Sequence, residues 1–132
     1  MPTVVLGYVA KPEGEAALSA SIAEAKLRHA DLVVVNSHRA QQGDDGAQAR
    51  LQAELDDVRA RVEAAGVVVD VRHPETGLEA AEDLLNVAEE VDADLVVIGL
   101  RRRTPVGKLI LGSNAQRILL DAHCPVLAVK SD

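Results

Sequence analysis

Tryptophan and phenylalanine are missing from this chain of 132 residues, and Tyr8 is its single aromatic side chain. The core must therefore be assembled from Val, Leu, Ile and Ala. Rings for stacking single-stranded bases are missing with them, and a net charge of −7 repels a phosphate backbone over most of the surface. Nucleic acid is not an expected partner. Cysteine occurs once, at Cys124, so no internal disulfide can form. Without a neighbouring thiol or base, Cys124 reads as a packing residue rather than a nucleophile. No apolar run exceeds about five residues, far below the roughly 18–20 that span a bilayer. The segment Met1–Leu6 has no basic stretch leading into a long apolar run, so no leader peptide is read. The expectation is a cytoplasmic protein that does not enter membranes.

Catalytic and metal signatures are also lacking. His29, His38, His73 and His123 are scattered, none with a second ligand at metal spacing; His38 and His73, just past strand ends, remain weak ligand-contact candidates. No Gly-x-Ser-x-Gly elbow occurs. Gly107-Lys108 has no glycine at the offset a phosphate-binding P-loop needs, and no Gly-x-Gly-x-x-Gly follows the first strand. No catalytic residue is assigned, and the chain is not expected to be an enzyme.

What is present is a strict alternation. Five β-branched runs, Thr3–Tyr8, Leu32–Val35, Val67–Val71, Leu95–Ile98 and Val126–Val129, read as strands. They are continuously apolar, as strands covered on both faces are. Between them lie helical spacings: Leu18, Ile22 and Ala25; then Leu51, Leu55, Val58 and Val62; then Leu78, Ala81, Leu85 and Ala88; then Ala115, Ile118, Leu119 and Ala122. The polar stretch His38–Gly46 reads as a loop. Parallel neighbours need right-handed crossovers, so one α/β domain over residues 1–132 follows: a flavodoxin-like or Rossmann-like, doubly wound, five-stranded parallel sheet in the order 3-2-1-4-5. One local echo runs through it, since Ala30-Asp31-Leu32-Val33-Val34 recurs as Ala93-Asp94-Leu95-Val96-Val97.

Ligands of such sheets bind beyond the carboxyl ends of the strands. The segment after the fourth strand is long, glycine-bearing and basic, with Arg101, Arg102, Arg103 and Lys108 in an otherwise acidic chain. It ends in Gly112-Ser113-Asn114, which opens the last helix. Ser113 with Gln116 matches a capping box, and a glycine before a helix start also suits phosphate.

These residues resemble the universal stress protein family. The resemblance covers nearly the whole chain and is most specific from Ala93 through Gly99, across Gly112-Ser113, to His123–Val129. It implies a flavodoxin-like fold of the adenine nucleotide alpha hydrolase type, binding of ATP or another adenine nucleotide, and a homodimer paired through the last strand at Val126, Leu127, Ala128 and Val129. The resemblance also leaves room for Mg²⁺ accompanying the phosphates. The family's ATP pattern, Gly-x2-Gly-x9-Gly-Ser/Thr, meets Gly99, Arg102 and Gly112-Ser113 here, so its middle glycine is replaced. Val9 stands where nucleotide-binding members carry an Asp that meets the base, with Ala10 beside it. The implied site is Val9, Ala10, Gly99, Arg101, Arg102, Arg103, Gly112, Ser113 and Asn114. The competing reading, favoured by Val9 and Arg102, is a relative that has lost the nucleotide and acts as a dimeric interaction module.

Overall fold

The computed structural model describes residues 2–37, 45–101 and 111–131. Five strands alternate with four helices among them: β1 (Thr3–Gly7), α1 (Pro12–Arg28), β2 (Asp31–Val35), α2 (Asp45–Ala64), β3 (Val69–Arg72), α3 (Ala80–Glu90), β4 (Leu95–Leu100), α4 (Ser113–Asp121) and β5 (Val126–Lys130). All pairings are parallel, in the order β3-β2-β1-β4-β5. The doubly wound sheet expected from the alternation is the one observed.

Strand pleating divides the core in two. Val4, Leu6, Leu32, Val34, Leu95 and Val97 pack with Leu18 of α1 and with Val58 and Val62 of α2. The alternate residues Val5, Val33, Val35, Val96 and Ile98 pack with Leu84 and Val87 of α3 and Ile118 of α4. Neither face of β1, β2 or β4 meets water, which is why those strands read as unbroken apolar runs.

Three boundaries differ from the sequence reading. Leu78 lies outside α3 and is exposed; the buried face is Ala81, Leu84, Val87 and Ala88, one turn further on. The second helix starts at Asp45, inside the stretch read as loop, whereas residues 38–44 lie outside the described ones. The third strand begins at Val69 because Val67 still belongs to the end of α2: its N–H donates to the Val62 carbonyl while Gly66 N–H donates to Glu63. That pair of bonds is a Schellman motif, in which a left-handed residue closes the helix.

The same motif ends α1 and α3. Ala30 N–H donates to Ala25 O and His29 N–H to Lys26 O; Ala93 N–H donates to Ala88 O and Asp92 N–H to Glu89 O. The left-handed positions are Gly66 (φ 81°), His29 (φ 53°) and Asp92 (φ 52°). Here is the physical origin of the repeated Ala-Asp-Leu-Val-Val: the alanine is the buried residue that closes the motif, and the aspartate stands at the entry to the strand, as the first residue of β2 and the residue before β4. Asp31 N–H donates to Pro2 O, Asp94 N–H donates to Thr3 O, and Asp94 Oδ2 accepts from Thr3 N–H at 2.8 Å. A left-handed residue other than glycine costs roughly 1–2 kcal/mol. Replacing His29 by Gly should stabilise the protein by about 0.5–1 kcal/mol once glycine's greater unfolded-state freedom is deducted, measured as a higher urea midpoint.

Candidate functional site

The strand order reverses between β1 and β4, where crossovers leave to opposite faces. A cavity of about 400 Å³ opens beyond the carboxyl ends of these strands, at the switch point where such sheets take ligands. Its floor is made by Gly7 and Tyr8 at the exit of β1, Val35 of β2 and Ile98-Gly99 of β4. Its rim comes from Lys11 and Glu13 at the start of α1, Ser37 after β2, Arg101 after β4, and Gly112-Ser113-Asn114 at the start of α4.

Of the nine residues implied by sequence, six line this cavity: Val9, Gly99, Arg101, Gly112, Ser113 and Asn114. Ala10 is exposed in the β1–α1 turn and is not among the lining residues. Arg102 and Arg103 lie outside the described residues, as does His38. His73 is tied instead to the end of β2, its Nδ1 2.8 Å from the Asn36 carbonyl. Cys124 is half-buried, and burial pushes its thiol pKa up, as expected of a packing residue and not of a nucleophile.

The capping-box reading of Ser113 needs correction. Gly112 is the N-cap of α4 and Ser113 already the first helical residue. Gln116 N–H donates to the Gly112 carbonyl, and the Gln116 side chain reaches back to the Leu111 carbonyl at 3.0 Å. The box fails because the cap is one residue earlier than its pattern requires. Ser113 is thereby left exposed at the cavity rim. In the first turn of any α-helix the backbone N–H groups have no intrahelical partner, and those of Ser113, Asn114 and Ala115 stand beside the cavity. Asn114 also braces the site, because its Oδ1 accepts from Ala81 N–H at 3.3 Å and so joins the start of α4 to that of α3.

The glycines divide by role. A Cβ on Gly99 would stand 2.2 Å from the Glu13 carbonyl oxygen, so β4 needs a glycine there for α1 to begin where it does. Gly112 has φ −71° and ψ 165°, open to any residue; its backbone conformation does not require glycine.

Tyr8, noticed in the sequence only for its isolation, is 3% exposed on the cavity floor. Its hydroxyl donates to Glu15 Oε1 at 2.6 Å, and Glu15 Oε2 accepts from Arg61 of α2 at 2.6 Å. Burial first, then the Glu15 carboxylate, push the phenol well above its ordinary value; the Arg61 hydrogen bond holds Glu15 below the usual carboxylate range.

The chain matches the universal stress protein family model over residues 1–130. The chain belongs to the universal stress protein family. A universal stress protein of Mycolicibacterium smegmatis is 47% identical over 129 residues, covering 96% of each chain. A universal stress protein structure from Archaeoglobus fulgidus superposes with a TM-score of 0.81 at 32% identity, over 98% of both chains. Another from the same organism, in complex with dAMP, gives 0.76 at 27% identity, again over 98% of both. This universal stress protein thus shares its fold with a nucleotide-bound relative.

The Tyr8 bond yields a pH prediction. Above about pH 10 the unfolded chain releases its phenolic proton while the native state keeps it. The native state then holds more protons, so stability falls as pH rises. Urea midpoints from pH 9 to 11 should decline more steeply for wild type than for Tyr8→Phe, which has no phenolic proton.

Proposed function

We propose that this universal stress protein binds an adenine nucleotide, with the phosphates at the Gly112-Ser113 start of α4 and the base toward β2, and acts as a non-catalytic, cytoplasmic signalling module. The observation that carries this reading is the cavity at the β1/β4 switch point, floored by strand ends and rimmed by the unsatisfied first turn of α4. Arg101 adds a cation at the same rim. The dAMP complex of the Archaeoglobus fulgidus relative supports it. Among the described residues no group of three or more His, Cys, Asp or Glu could hold a metal ion, so any Mg²⁺ would ride on the phosphates. No described helix is long and apolar enough to cross a membrane.

Titration calorimetry with ATP, AMP and GTP tests the reading. Wild-type protein freed of ligand should bind ATP, and Gly112→Val should not; since the backbone at position 112 suits any residue, the variant should keep its fold, with a weaker N-cap on α4 and without the close approach. GTP binding as tight as ATP would widen the ligand class to purine nucleotides, as expected if Val9 has removed the acceptor for the base. No heat with millimolar ATP would hand the function to the interaction-module reading.

The homodimer is proposed through β5. This strand pairs with β4 on one side and has no strand on its other edge among the described residues, and its Leu127 is 37% exposed. An open apolar edge favours a second copy. Leu127→Lys should elute as a monomer from a sizing column; a folded variant that stays dimeric places the interface elsewhere.

A further inference from the structure

Four polar or charged residues are buried among the described ones: Glu13, Ser21, Asn36 and Asp83. The Ser21 hydroxyl donates to Ala17 O, Asp83 accepts from the Thr76 hydroxyl, and Asn36 is also engaged. Glu13 differs. It is 8% exposed, and among the described residues no hydrogen bond or ion pair reaches its carboxylate. No fully enclosed side-chain oxygen in these residues lacks a partner, so the Glu13 oxygens reach water, and the residue lines the switch-point cavity. With no protein donor on its oxygens the carboxylate has only water for a partner, and its place in the first turn of α1 favours a negative charge there. Such a group is an acceptor waiting for donors.

Resting on the nucleotide reading above, we propose that Glu13 is the ribose-specificity residue of this site, accepting hydrogen bonds from the sugar's vicinal hydroxyls. Phosphate offers no donor and repels a carboxylate. The backbone and Cβ of Glu13 pack against Gly99 at the end of β4, the strand that leads to the phosphate position at α4, while β1 and β2 follow on the side we give to the base. The sugar falls between the two, and its pair of hydroxyls matches the two oxygens of a carboxylate, as an acidic residue does for ribose in dinucleotide folds. Glu13 thus supplies a polar anchor at a site where Val9 supplies none.

The experiment is titration calorimetry of ATP and 2′,3′-dideoxy-ATP into wild type, Glu13→Ala and Glu13→Gln, with a melting curve for each variant. Wild type should hold ATP at least about tenfold more tightly than the dideoxy nucleotide, equivalent to about 1.4 kcal/mol. Glu13→Ala should bring ATP down to the dideoxy level and leave the dideoxy affinity unchanged. Glu13→Gln, with one carbonyl oxygen left, should fall between, and it decides the matter alone if the alanine variant does not melt cooperatively. A gap that survives in the variants, equal binding of the two nucleotides by wild type, or a parallel fall in dideoxy affinity overturns the assignment while leaving nucleotide binding standing. Failure of wild type to bind either nucleotide overturns both.

Discussion

The first turn of α1 lies closer to the sheet than any side chain allows. A Cβ on Gly14 would sit 1.6 Å from the Val9 carbonyl oxygen, and one on Gly99 would sit 2.2 Å from that of Glu13. Backbone therefore meets backbone on both sides of the turn, over β1 and over β4. This contact decides what the cavity can be. It lowers the start of α1 between the two central strands, sets Lys11 and Glu13 on the rim, and leaves the floor to Gly7, Tyr8 and Gly99. A longer side chain at either glycine would lift α1, and the cavity wall with it.

The remainder of the fold holds that wedge in place. Two aliphatic layers grip β1, β2 and β4 from both faces, and interiors packed at this density transmit small displacements rather than absorbing them. On the opposite end of the sheet, three helices finish with the same left-handed closure before entering β2, β3 and β4. The loops at that end are short and bonded to backbone. The cavity lies at the other end, beyond the carboxyl ends of the strands.

Much of this was legible beforehand, and the reason differs from element to element. Strands covered on both faces leave an apolar signature that periodicity finds easily, and alternation with helices restricts their order. The burial of Leu51, Leu55, Val58 and Val62 followed the helical spacing directly. The errors fall where one or two residues of offset matter. Ser113 had the chemistry of a cap, yet Gly112 took that position, because a capping box and a first-turn serine look alike in one dimension. Val67 looked like strand because it is β-branched, although its N–H still belongs to the preceding helix. Glu13 was invisible for a different reason: an acidic residue in a helix's first turn is ordinary, and only the approach of α1 to Gly99 turns that surface position into a buried one.

Tyr8 carries one more consequence. It is the chain's only strongly absorbing side chain near 280 nm, since tryptophan is absent and a lone cysteine forms no internal disulfide. It also lies on the cavity floor, hydrogen-bonded to Glu15 and through that carboxylate to Arg61. The protein is therefore built with a single chromophore at its switch-point cavity. Its near-ultraviolet emission and circular dichroism come from that ring alone, so any change in either spectrum reads the cavity and its link to α2, without a label.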